Sequence, residues 1–212
     1  MVQICIVRTE VNMVDGRLTQ ALLDDDPRTR ALQNLKEAVE LNLRELDHAF
    51  KQRPMGMVAL ITRNLLELLV WVEYCQSSQE RAKRFCEDSL RDALDMLKLR
   101  KEFATERERL IKMLKHNGIK NPEDSFFQVR DAAEELHKKD CFVFWNKLFS
   151  KFAHPTALAV MNDLPSEDIR WFKSSFFELG MGYGVSALAQ IDRCLQELPL
   201  AAGIDNESTK SI

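Results

Sequence analysis

At 212 residues, 45% hydrophobic and 30% charged, the chain suits one medium globular domain able to bury a sizeable core. Seven glycines and six prolines exclude collagen-like, proline-rich and low-complexity architectures, and are too few for the turns of a β-sandwich. A formal net charge of −3 offers no global attraction to nucleic acid or to an anionic membrane.

Residues 1–9 read as an N-terminal extension, either a short edge strand or the product of a mis-chosen start. The run from Met1 to Val7 has no leading cation, and Arg8 and Glu10 close it, so it does not read as a secretory signal. A first helix is expected over about 10–25. Asp26 before Pro27 places a capping side chain ahead of a proline at the first helical position, so a second helix opens there and runs over 27–52.

The third helix, 55–76, is apolar almost all round, the pattern of a helix buried at the centre of a bundle. Its longest apolar stretch, Met55 to Val72, is interrupted by Arg63, Asn64 and Glu67 and falls short of the roughly 20 residues of a membrane span. Burial in a protein core, no membrane partner and a cytoplasmic chain are the expectations.

Ser77-Ser78-Gln79-Glu80 reads as a capping box, so a fourth helix begins near 78. Neither Gly nor Pro occurs between Met57 and Asn117, and apolar residues recur at helical spacing through Leu90, Leu94, Leu97, Ile111 and Leu114. One helix over 78–116 would span roughly 57 Å, against a radius of gyration of about 17 Å for a compact chain of this size. Such a helix must kink or project, and a projecting one would seek a second copy, which makes a homodimer an expected partner. Arg100 and Arg107 interrupt its apolar stripe. Cations outnumber anions over 81–115, but the signs are interspersed, so a solvated face competes with an RNA-facing one.

Beyond Gly118, Asn121-Pro122 marks the start of a helix over 122–138, followed by a short aromatic helix at 140–153. Pro155 opens a short segment to about 161. A last helix is expected over 166–197, with Pro199 onward a flexible tail to 212. The fold class is therefore all-α: a single-domain bundle of about seven helices over 10–198, with the 55–76 helix central.

Two segments carry chemistry. On helix 55–76, Arg63 and Glu67 lie one turn apart on one face, with Asn64 beside them and Tyr74 continuing the line. Arg before Glu is the weaker order for helix stability, which points to a further group or a ligand completing the site. On the aromatic helix, Asn146, Ser150 and His154 follow at i, i+4 and i+8. Pro155 disfavours helical geometry at His154, placing its imidazole at a junction where it could act as acid, base or hydrogen-bond donor. Arg63, Asn64, Tyr74, Asn146 and Ser150 are candidate ligand-binding residues, and Glu67 and His154 candidate catalytic ones.

Other patterns are weaker. Five scattered cysteines form no C-x-x-C pair; Cys75, Cys86, Cys141 and Cys194 fall in apolar helical patterns and read as reduced core thiols. Glu45-x-x-His48 and Glu134-x-x-His137 have the spacing of di-iron ligands, but His48 lies off its helix's apolar line and Arg130 and Lys138 mark a solvated face. No metal and no cofactor are expected. Gly180, Gly182 and Gly184 follow no strand, so they read as a close helix approach rather than a dinucleotide loop. No nucleophile elbow and no motif for reading DNA are present.

The Arg63-x-x-x-Glu67…Tyr74 helix, followed by Ser150-x-x-Ala153-His154-Pro155-Thr156, resembles an uncharacterised family of prokaryotic all-α proteins over about residues 30–195. That family is similar in outline to the higher-eukaryote-and-prokaryote nucleotide-binding (HEPN-like) helical domains, many of which are toxin or defence ribonucleases. The resemblance implies an Arg-x(4–6)-His pair, the Arg gripping phosphate and the His aiding 2′-hydroxyl attack. No Arg stands at that spacing before His154; Arg109…His116 and Arg130…His137 do fit it.

Two function classes follow. In one, Arg63 grips an anionic group (a nucleotide, an RNA phosphate or a small carboxylate), Glu67 orients Arg63 or His154, and His154 donates or transfers a proton. In the other, the same residues form a buried polar lock in a non-enzymatic interaction module, dimeric through helix 78–116.

Overall fold

A computed structural model describes residues 26–99, 101–116, 118–119, 121–124, 127–154 and 164–201. Regular structure among them is helical throughout, in seven α-helices. These are α1 (Pro27–Gln52), α2 (Met55–Ser77), α3 (Gln79–Lys98), α4 (Ala104–His116), α5 (Val129–Glu135), α6 (Lys139–Ala153) and α7 (Ser166–Ala201), with one 3-10 turn at Lys101–Phe103. The segments expected at 1–9, 10–25 and 155–161 lie outside the described residues. The chain divides into two compact units, residues 26–31 with 79–127 and residues 32–78 with 128–201.

In the first unit, Asp26 caps α1 as its type and place before Pro27 require. Its Oδ1 accepts the backbone N–H groups of Arg28 and Thr29 at 3.1 and 3.2 Å and the Gln79 side-chain amide at 3.0 Å. Burial pushes its carboxyl up, but hydrogen bonds from the Thr29 hydroxyl, Gln79 and these two amides outweigh it and hold the group below its ordinary value.

The single helix expected over 78–116 is instead two. α3 ends at Lys98, the Leu99 N–H tightens onto the Met96 carbonyl at 3.2 Å, and α4 begins at Ala104. No glycine or proline marks this break. Its cause is packing: Leu90 and Leu94 bury against Leu110, Leu114 and Ile119, with Leu97, Ile111 and Met113 around them. The stripe that would have needed a second copy is covered by its own chain, and tertiary burial outweighs helix propensity. Gly118, at φ 86°, closes α4 in a Schellman turn, with Gly118 N–H on the Lys115 carbonyl and Ile119 N–H on that of Leu114. Ile119 and Leu114 also meet in the apolar cluster, the hydrophobic contact that accompanies this cap.

Asn121-Pro122 does not start a helix. Asn121 heads a turn, its carbonyl accepting the Asp124 N–H at 3.3 Å, and α5 starts only at Val129, behind a capping box between Gln128 and Asp131. The box satisfies the exposed amides further along the chain than the proline signal suggests.

The second unit is built around α2, ten of whose residues are buried, among them Val58, Leu65, Val72 and Tyr74. α7 runs parallel to it: the Thr62 hydroxyl donates to the Phe176 carbonyl at 2.8 Å, and Gln76 to Gln190 at 2.5 Å. α1 runs antiparallel to α7, through Lys36–Asp192 at one end and the stacked rings of Phe50 and Phe177 at the other. Gly180 makes this approach possible, since a Cβ there would stand 2.8 Å from both Leu46 and Thr62. Gly182 has open space around it and takes no part in the close approach expected of it.

α2 is also the one helix among the described residues long and apolar enough to cross a membrane, though its buried side packs against other helices of the unit. α7 continues through Pro199 to Ala201, beyond the expected end at 197. Cys75 and Cys194 are buried as expected and Cys86 is half-buried, but Cys141, in the first turn of α6, is exposed.

Candidate functional site

Arg63 and Glu67 occupy the side of α2 that faces α6, and each side chain keeps 27% of its surface exposed. This is a margin, neither the dry core expected of a helix apolar all round nor the free surface. Glu67 Oε1 accepts from Arg63 Nε at 3.0 Å and lies 3.0 Å from Nη2, so one oxygen sits in the fork of the guanidinium. The same oxygen accepts from Asn146 Nδ2, on α6, at 2.7 Å.

α6 supplies the other half. Asn146, Ser150 and His154 recur every fourth residue and share a face. The Ser150 hydroxyl turns back onto the Asn146 carbonyl at 2.7 Å, a local bond that leaves it little to offer a ligand. His154 is the C-cap, its backbone extended at φ −102° and ψ 153° and its N–H on the Ser150 carbonyl. Its side chain is exposed.

Two features bring this helix end to α2. Phe152 packs its ring on Phe172 and Phe176 of α7, each at 5.2 Å. Gly56, in the first turn of α2, presents no side chain: a Cβ there would stand 2.8 Å from the Phe152 carbonyl oxygen. The result is Arg63 Nη1 at 3.5 Å from His154 Nε2, across 91 positions of sequence.

That contact constrains the chemistry. A guanidinium only donates, so the facing imidazole nitrogen must accept, which requires the neutral ring with its proton on Nδ1. A protonated ring would oppose N–H to N–H, an arrangement an intervening anion relieves.

Two sequence candidates lie elsewhere. Asn64 donates to Asn42 Oδ1 on α1 at 3.4 Å. Tyr74 is fully buried, edge-on to Trp71, and about 16 Å along the helix axis from Arg63. Arg109 and His116 are exposed on α4. His137 is exposed and stands in the left-handed region at φ 58°, closing α5 as the residue after its cap, with His137 N–H on the Glu134 carbonyl and Lys138 N–H on that of Ala133. Glu45, His48 and Glu134 are exposed, and no group of three His, Cys, Asp or Glu side chains among the described residues is placed to hold a metal ion.

Sequence reasoning missed three polar ties: Thr62 to Phe176, Gln76 to Gln190, and the Lys138 ammonium on both oxygens of Glu73 at 2.8 and 2.7 Å. Glu73 did carry a signal, as a second carboxylate in an apolar helix. No family model matches this chain, and no curated protein or solved structure matches it either.

Proposed function

We propose that the α2–α6 margin binds a small anionic group. Arg63 grips it, Glu67 and Asn146 hold Arg63 in place, and His154 completes the site as hydrogen-bond donor or proton carrier. The observation that carries this reading is the 3.5 Å approach of Arg63 Nη1 to His154 Nε2 at a solvent-reached edge. Two groups able to be cationic are set together there, and among the described residues only Arg63 has a carboxylate at hand. A nucleotide, an RNA phosphate and a small carboxylate all present the required oxygens. The ribonuclease expectation rests on the resemblance alone, and no reaction is assigned.

A second reading, a structural lock within an interaction module, is favoured by one feature: Glu67 Oε1 is satisfied from three nitrogens of two helices. A homodimer through helix 78–116 loses its original rationale, since that segment's stripe is covered within its own hairpin.

The test is thermal denaturation with a panel of nucleotides, phosphates and carboxylates, on the native chain and on Arg63→Met. A ligand at a hundred times its Kd stabilises by about 2.7 kcal/mol, a readily measured shift. A shift in the native chain that is absent in the variant supports the site. No shift with any anion leaves the lock.

A further inference from the structure

We infer that anion capture at this site is coupled to protonation: a fully ionised oxyanion enters together with one proton, which the solvent gives up and His154 Nε2 takes. The inference rests on the anion-site reading and adds its regulation. Without an anion, Arg63 Nη1 stands 3.5 Å from His154 Nε2. A guanidinium only donates and does not lose its proton, so the ring adapts to it, staying neutral with Nε2 as acceptor. An oxyanion seated on both groups reverses the demand. Its oxygens only accept, so the ring must present Nε2–H, and two donors 3.5 Å apart are close enough to share one anion.

A neutral ring with its proton moved to Nε2 would supply a donor but no charge. The Arg63 charge is already met by Glu67 Oε1, so the further positive charge that a dianion calls for comes from the imidazolium. The charged groups around the ring are, from α2, Arg63 with Glu67 on its guanidinium, and on α6 itself Lys151, three positions before His154. α7 reaches this helix end through Phe172 and Phe176 on Phe152, with Arg170 and Lys173 on either side of Phe172 and Asp168 a turn before it. Cations outnumber anions in this set, a surrounding that attracts an oxyanion and leaves it to partner the imidazolium. Imidazoles ordinarily change charge between about pH 5 and 8. Taking up one proton per anion makes affinity rise as pH falls, by about tenfold per unit, until the ring is protonated before binding. The site therefore captures its anion in mild acid and releases it above neutrality.

The test is isothermal titration of the full chain at about pH 7 with sodium sulfate, whose charge does not change over this range, in imidazole and in Tris buffer. The two buffers ionise with different heats, so the difference between the apparent binding heats counts protons. An uptake of about half to one proton per sulfate is expected, with affinity tightening about fivefold to tenfold for each unit that pH falls near neutrality. Sulfate bound with no proton uptake, and with one affinity from about pH 5 to 8, would mean that the ring changes tautomer instead, overturning the coupling and leaving the site. No binding at about pH 5.5, up to tens of millimolar sulfate, would overturn the site itself. His154 is exposed, so His154→Ala is expected to keep its fold, checked by circular dichroism, and to lose either the proton uptake or binding altogether. Uptake retained in this variant would place the proton on His48, His116 or His137 and overturn the assignment. If the variant does not fold, the proton count of the native chain decides.

Discussion

The α3–α4 hairpin and the α2–α6 seam are both helix pairs, but they are held by different physics. In the hairpin, leucines and isoleucines within thirty positions of one another exclude water, with ion pairs such as Lys98–Asp95 and Arg107–Glu123 on the outside and Asp88 buried against Arg91. In the seam, residues up to 91 positions apart meet through a guanidinium, a carboxylate, an amide and an imidazole, with aromatic rings behind the helix end. The first arrangement buries area and is tolerant of detail. The second adds to buried rings such as Phe149 a set of polar contacts that depend on distance and direction.

Substitutions should separate the two. The largest effect is expected from Leu114→Ala in the hairpin, fully buried in the native chain, at about 2–5 kcal/mol in urea denaturation with no change in anion binding. Gly56→Ala in the seam is expected to cost about 1–3 kcal/mol, because the added methyl meets the backbone oxygen of Phe152 rather than a yielding side chain. It should also part Arg63 from His154 and lower anion affinity, so titration and denaturation respond together, which the hairpin variant does not do.

Asp26→Ala, at the capped start of the hairpin's unit, should cost about 1 kcal/mol at neutral pH. Because the folded-state carboxyl is held below its ordinary value of 3.8, its contribution is complete above that pH and disappears as pH falls through the folded value. The native and variant stabilities, measured against pH, should therefore converge only in acid. Arg63→Met should cost no more than about 1 kcal/mol, since the pair is partly hydrated, while abolishing anion binding. A loss of several kcal/mol instead would make the seam a lock.

The smallest effect compares one motif across the two regions. α4 closes on Gly118 and α5 on His137, both left-handed. Only the histidine is strained there, so His137→Gly should raise stability by up to about 1 kcal/mol, read as a shift in the denaturation midpoint. No gain would mean that the imidazole has a compensating contact.

Much of this was legible beforehand where the signal is local. Asp26-Pro27 marked a helix start because a short carboxylate and a fixed φ act within one turn, and the apolar run at 55–76 marked the central helix. The pairing of Arg63 and Glu67 followed from helical period. The break after Lys98 was not legible, because nothing at 99–103 resists helix; the fold-back is favoured by leucines on either side of it. Asn121-Pro122 misled for the converse reason, a strong local signal used as a turn. Asn64 and Tyr74, adjacent in pattern to Arg63, were separated from it by the rotation of the helix and by axial distance.

By itself, the sequence determined that this chain is helical, where most helices begin, and which polar residues are set in apolar surroundings, since those properties depend on side chains within a turn or two of each other. Only the tertiary structure decided that the stretch over 78–116 folds back on itself and that His154 comes to Arg63 rather than elsewhere. Those outcomes turn on burial and backbone approach between segments far apart in the chain, and Gly56 and the Phe152 ring enforce the second of them through contacts that no local pattern encodes.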